Sequence, residues 1–308
     1  MMIRLHAYAK LNLYLRVLGK RPDGYHEIET IFERIDLADE LTFEPADTVR
    51  LTCNDPSLLC GEDNLILRAA RLLQTATGTK RGAAIHLIKR IPTAAGLGGG
   101  SSDAATTLLA LNRLWNLDLQ PQHLTELAAQ LGADVPFFLL ETSFALGKGR
   151  GDACQPLAAP SVELAHVLVV PAVRLSTTEV FSTAEFNLTA KTPSSTMVAH
   201  ALSNGSLSEL AQGLWNDLEP EAIRRCPIIS VIQSRLRERG CLGVRLSGSG
   251  PSVFGLCRDE AHARDIMSGL RCIAPASWRI EFVRTQRQPM MSRTRFSNPS
   301  GNEAAAAT

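Results

Sequence analysis

Apolar and polar residues alternate along much of the first 50 positions, and the pattern predicts strands at 3–8, 11–17, 29–35 and 39–44. Arg21-Pro-Asp-Gly24, between the second and third, is a turn signal. The period then lengthens. Residues 62–73 gather leucines and alanines on one helical face, with Glu62 and Asp63 at its entry. An apolar strand at 85–91 runs into a glycine-rich stretch, and 102–114 reads as a helix. A further helix is expected at 121–131, stopped by Gly132, and a short one begins near Ala133. The second half starts again with a buried strand at 166–170. Helices follow at about 194–203, 207–216 and 228–239, then strands at 242–246 and 252–257, a helix at 259–270 and a strand at 278–284.

This mixture is an α/β (α+β) protein, and 308 residues exceed what one hydrophobic core usually serves. Pro156 and Pro160 mark the expected boundary, giving domains at 1–158 and 159–285 and a polar tail, 286–308, expected to be disordered. The net charge of +1 supplies no electrostatic basis for a nucleic-acid or anionic-membrane partner. No apolar run reaches the ~18 residues of a membrane span, and the first residues lack a signal-peptide core. Seven cysteines, with no C-x-x-C, suggest reduced thiols in a cytoplasmic protein rather than a zinc site. Oligomeric state leaves no trace in these totals.

The chemistry concentrates at Gly96-Leu-Gly-Gly-Gly-Ser-Ser102, between the predicted strand and helix. Backbone N–H groups freed by glycine can converge on one concavity, and the helix start adds unpaired N–H groups and a positive dipole end. The combination suits phosphate. It is not a P-loop, since neither Gly19-Lys20 nor Gly147-Lys148 precedes Ser or Thr. Nor is it a dinucleotide fingerprint, since Ser101 stands where the last glycine belongs. Asp134, ahead of Val135-Pro136, reads either as a helix N-cap or as a base, and one carboxylate could serve both roles. Lys10 reads as a solvated strand lysine or as a site cation.

Three segments in order, Lys10-Leu-Asn12, the glycine loop and Leu246-Ser-Gly-Ser-Gly-Pro-Ser252, resemble the small-molecule kinases named for galactokinase, homoserine kinase, mevalonate kinase and phosphomevalonate kinase. The resemblance covers about residues 1–285. Arg21-Pro-Asp-Gly-Tyr-His-Glu27, Glu62-Asp-Asn-Leu-Ile66 and Gly132-Ala-Asp-Val-Pro136 are similar to the 4-diphosphocytidyl-2-C-methyl-D-erythritol kinase family within it. One departure is Thr93-Ala-Ala95, where some members carry more glycine.

The resemblance implies a two-domain kinase fold, with a ribosomal-protein-like ATP-binding domain first and a ferredoxin-like domain second. It implies ATP-dependent phosphorylation of the substrate's 2-hydroxyl, in the non-mevalonate route to isoprenoids. Asp134 is implied as the proton acceptor and Lys10 as the cation beside it. Pro92, Gly96, Leu97, Gly98, Gly99, Gly100, Ser101, Ser102 and Asn64 are implied for ATP. Mg²⁺ is expected with the triphosphate; either Ser101 or Ser102 would meet metal or phosphate. Asn12, Tyr25, His26, Phe181, Gly248, Ser249 and Gly250 are implied for the substrate, with Tyr25 and Phe181 on the two sides of the cytosine. A homoserine- or mevalonate-type kinase would share the motifs without needing Tyr25-His26. A non-catalytic nucleotide binder would need neither Lys10 nor Asp134.

Overall fold

The computed structural model describes residues 2–58, 60–158, 163–189 and 191–287. The expected domain boundary at 158/159 and the tail from 288 onward lie at or beyond the edge of these residues. In chain order the first half contains β1 (Ile3–Lys20), β2 (His26–Ala46), β3 (Arg50–Cys53), α1 (Leu65–Thr77), β4 (Gly82–Ile88), α2 (Gly99–Leu114), α3 (Pro121–Leu131), α4 (Val135–Leu139), β5 (Phe144–Lys148) and β6 (Ala153–Pro156). The second contains β7 (Ala165–Val170), α5 (Thr177–Thr183), α6 (Ser195–Asn204), α7 (Leu207–Gly213), β8 (Trp215–Asn216), α8 (Glu219–Arg225), α9 (Ile228–Glu238), β9 (Gly243–Leu246), β10 (Val253–Cys257), α10 (Glu260–Arg271) and β11 (Arg279–Arg284).

The four short strands expected before residue 46 are two long ones, paired antiparallel along their length. β1 hides its length because its register with β2 shifts between Tyr8 and Lys10 and between Asn12 and Tyr14. Such irregularities re-aim side chains. Ala7 and the residues before it pack with α1 and α2, whereas Ala9, Leu11 and Leu13 pack with Leu168, Leu202 and Phe254 of the second half. One strand therefore serves two cores, and Lys10 is delivered at the change-over.

The larger sheet has the order β3-β4-β2-β1-β8, with β5 and β6 attached to β2. β8, from the second half, pairs in parallel with Tyr14 and Leu15 of β1. The sequence pattern had continued a helix through 216; instead α7 ends at Gly213 and the chain turns into this strand. The smaller sheet is antiparallel with the order β11-β7-β10-β9. With α9 before β9 and α10 before β11, it has the β-α-β-β-α-β ferredoxin-like plan. The helices between β7 and α9 are insertions into that plan, and among them α5 and α8 were not foreseen, nor were β3, β5 and β6 in the larger sheet.

Helix boundaries follow identifiable groups. α1 starts at Leu65, not 62, because the Asn64 carboxamide accepts from Ile66 N at 3.0 Å. β4 stops at Ile88 because Asp39 Oδ1 takes the N–H groups of Arg90 and Ile91, at 2.5 and 2.8 Å. Gln286, expected in the tail, is tied down: its N–H donates to Arg34 O at 2.8 Å and its carbonyl accepts from Ser143 Oγ at 2.7 Å.

Candidate active site

A cavity of about 960 Å³ opens between the two sheets' lobes, at the upper end of the size usual for a small-molecule site. The glycine loop forms one wall. Gly98 takes the N-cap position of α2 in a left-handed conformation, so the helix starts at Gly99, three residues earlier than expected. Its first N–H groups then face the cavity, where Gly96, Leu97, Gly98, Gly99, Gly100 and Ser101 are found. Pro92 and Asn64 join them. Asn64 is thus both helix cap and cavity wall. Ser102 is sealed behind the wall with its hydroxyl unpartnered, so of the two serines it is Ser101 that meets the cavity.

The third motif is bolted to this loop. Ser247 Oγ donates to Gly96 O at 2.9 Å, and Ser252 N donates to Ala95 O at 3.3 Å. Gly248, with φ +56, brings its backbone against Lys10: a Cβ there would lie 3.2 Å from Lys10 Nζ and 3.4 Å from Asn12 Oδ1. Ser249 lines the cavity and shares a 2.8 Å hydrogen bond with Thr177. Gly250 does not reach the cavity; its Cα faces Leu246.

Lys10 is only 3% exposed. Its backbone N–H donates to Leu97 O at 3.0 Å, fixing strand to loop. Its ammonium donates to Asn12 Oδ1, and Asn12 Nδ2 donates to Thr30 Oγ1 at 2.8 Å. The same ammonium lies 3.5 Å from Asp134 Oδ2. Asp134 occupies the N-cap position of α4 but caps no N–H, leaving its carboxylate, 34% exposed, to face the cleft. Of its two anticipated roles, the cap is the one it does not play. Cys154, nearby, is no competing nucleophile: burial, with the Asp134 and Asp152 charges, pushes its thiol up to about 12.

The base site departs from expectation. Tyr25 sits at the β1–β2 hairpin tip, 56% exposed, with the Arg150 guanidinium 5.1 Å from its ring centroid. Phe181 lines the cavity, but its ring meets His26, with centroids 5.3 Å apart, rather than Tyr25. Tyr25 and His26 stand just outside the wall that Phe181 and Arg150 form. Burial, with the Lys20 charge adding, holds the His26 imidazole below its ordinary range, so the ring is neutral at pH 7.

Several supporting residues escaped the sequence reading. Lys89 Nζ is held between Asp39 and Asp103, at 2.6 and 2.7 Å, beneath the glycine loop. Asn216 Nδ2 donates to Leu246 O and Gly248 O, at 2.9 and 2.8 Å, steadying the third motif from β8. Arg34, fully buried, donates to the carbonyls of Phe137, Phe138 and Leu140, at 3.2, 3.4 and 2.7 Å, at the C-terminal end of α4. A cation there suits the helix dipole and fixes the element that carries Asp134.

Asp103 yields a test. Burial pushes its carboxyl up to about 7, with Lys89 opposing and Asp39 adding to the rise. The folded protein therefore holds a proton on Asp103 that the unfolded chain releases near pH 4. Stability from this group falls as pH rises between about 4 and 7. Asp103→Asn is expected to remove that loss, so its Tm relative to the parent's climbs from pH 5 to pH 8 in calorimetric scans. Parallel Tm profiles would contradict the assignment.

The fold and this cleft define a small-molecule kinase of the GHMP class. Family models described as GHMP kinases N terminal domain and GHMP kinases C terminal match residues 64–142 and 198–275. A protein of Pelotomaculum thermopropionicum called 4-diphosphocytidyl-2-C-methyl-D-erythritol kinase is 44% identical over 273 residues, covering 88% of this chain and 94% of its own. A namesake from Thermoanaerobacter pseudethanolicus is 43% identical, covering 87% and 92%. The crystal structure of a 4-(cytidine 5'-diphospho)-2C-methyl-D-erythritol kinase superposes with a TM-score of 0.75 at 38% identity, over 91% of this chain and 98% of that one. The chain belongs to the 4-diphosphocytidyl-2-C-methyl-D-erythritol kinase family.

Proposed function

We propose that this protein transfers the γ-phosphoryl group of ATP to the 2-hydroxyl of 4-diphosphocytidyl-2-C-methyl-D-erythritol, releasing ADP, in the supply of isoprenoid precursors. The observation that carries the reading is the meeting of Lys10, Asp134 and the glycine loop on one cavity wall. The acceptor oxygen attacks the γ-phosphorus while the bond to the β–γ bridging oxygen breaks, and that electron pair leaves with ADP. Asp134 takes the hydroxyl proton. Lys10, held by Asn12, orients the hydroxyl and offsets charge on the transferring group. N–H groups of the glycine loop and of α2 hold the donor phosphates, so catalysis is chiefly positioning and charge stabilisation.

Among the described residues, no group of three or more His, Cys, Asp or Glu could hold a metal ion. The donors suit a magnesium ion that enters on the nucleotide and keeps several waters, with Ser101 as the wall hydroxyl that would hold it. When bound, the ion would neutralise charge between the β- and γ-phosphates. His26 and Phe181, with Tyr25 at the rim, supply aromatic faces for the cytosine. The lobe ending near 158 would hold ATP, and that from 159 to 285 would complete the cleft. No helix among the described residues is long and apolar enough to cross a membrane; we assign the protein to the cytoplasm because all seven cysteines are free thiols.

The deciding experiment measures ADP release with ATP, Mg²⁺ and the cytidylyl substrate, beside mevalonate and homoserine. Turnover is expected with the cytidylyl substrate alone. Turnover with another alcohol would keep the kinase and remove the base site. ATP binding without turnover on any of them would point to a nucleotide-binding regulator.

A further inference from the structure

Four cationic side chains line the cavity: Lys10, Lys89, Arg150 and Arg174. Three are already engaged with carboxylates. Lys10 faces Asp134 at 3.5 Å, Lys89 donates to Asp39 and Asp103 at 2.6 and 2.7 Å, and Arg150 holds Asp152 at 2.5 Å. Arg174 makes no hydrogen bond or ion pair among the described residues. It stands on the exposed loop between β7 and α5, three residues before Thr177, the partner of Ser249. It therefore approaches the cavity from the second lobe, whereas the glycine loop approaches from the first.

The Arg174 charge is felt on the segment after β3, whose Ser57 lines the cavity. Asp55, on the loop after β3, is held below the usual carboxylate range first by hydrogen bonds from Ser57, and further by the charges of Arg174 and Lys89. Ser57 stands on the same segment between β3 and α1 as Asn64, a residue assigned to the donor nucleotide in the proposed reaction. A glycine cradle offers dipoles to a triphosphate but no full charge. A guanidinium supplies one, with a planar fork that matches phosphate oxygens.

We propose that Arg174 is a phosphate-binding residue that closes on the donor's polyphosphate from the side opposite the glycine loop. The proposal rests on the kinase reading above. It adds a contact that engages only when nucleotide spans both lobes, and so it makes donor affinity depend on the second lobe.

Calorimetric titrations of ATP, ADP and adenosine into the full chain, its Arg174→Ala variant and its Arg174→Lys variant test this. Arg174→Ala is expected to weaken ATP binding about tenfold and to leave adenosine unchanged, with ADP between them. Arg174→Lys, which keeps charge but loses the fork, is expected to recover part of the loss. An exposed side chain with no hydrogen bond or ion pair among the described residues leaves the fold intact when truncated, and matching thermal melts check it. Equal ATP affinity in parent and Arg174→Ala overturns the proposal, as does an equal loss for adenosine, which would mean a base contact. Turnover by the parent separates the two levels. If the parent turns over and Arg174→Ala binds ATP normally, only this inference fails. If the parent binds ATP in neither assay, the kinase reading fails with it.

Discussion

Asp134→Asn is expected to lower turnover by about 10²–10⁴-fold while ATP affinity stays unchanged. Asparagine keeps the shape of the side chain and its neighbour Lys10, but it cannot accept the hydroxyl proton. The usual objection to such a variant is that it breaks the helix it begins. Here that objection has no purchase, because Asp134 makes no capping hydrogen bond and α4 is anchored from its other end by Arg34. The variant does take the carboxylate away from the buried Lys10 ammonium, so matching thermal melts accompany the assay. Steady-state ADP release together with an ATP titration checks both halves of the expectation. Near-normal turnover would take Asp134 out of the chemistry.

Gly96→Ala is expected to damage binding and stability together. The added Cβ would lie 2.1 Å from Ser247 O, and the residue's φ of +76 belongs to the left-handed region. The conformation alone costs roughly 1–2 kcal/mol for alanine, and the collision involves backbone, which cannot rotate away. Relief requires the loop and the Ser247–Ser252 turn to separate. That breaks the Ser247 bond to Gly96 O and withdraws Gly248 from Lys10. The expected result is a loss of about 2–4 kcal/mol in stability and ATP binding too weak to titrate. Gly100→Ala is the control: its Cβ would meet only Leu65 Cδ1, at 3.6 Å, so stability should hold within about 0.5 kcal/mol. Equal behaviour of the two variants would refute the argument from close approach.

The residues that line the candidate site were legible where they stand in contiguous motifs. Lys10 and Asn12 share a segment, as do the loop glycines, and the fold brings them onto one wall with Asp134. α3 was read to its ends because Pro121 and Gly132 act locally. What stayed hidden depends on distance. Asp39, Lys89 and Asp103 each look like an ordinary charge, and only the fold puts one ammonium between two carboxylates. Asn216 and Arg34 act on carbonyls 30 and more residues away. The length of β1 was hidden because the alternation breaks where its register with β2 shifts, between Tyr8 and Lys10, as the strand passes from one core to the other. Phe181 was found from its place in the chain, but its partner was misjudged: which ring it meets depends on how the hairpin tip lies against α5.

β1 also sets a timetable for synthesis. Its first residues can bury themselves once the helices of the first half exist, but Ala9, Leu11 and Leu13 belong to a core completed by Leu168, Leu202 and Phe254. Tyr14 and Leu15 wait for Trp215 and Asn216. At a ribosomal rate of ~5–20 residues per second, some 200 residues of intervening chain mean roughly 10–40 s during which an apolar strand stays half covered. The strand that carries the site's lysine is thus the part of the nascent chain that waits longest for its cover, and that delay is the kind of exposure that invites aggregation.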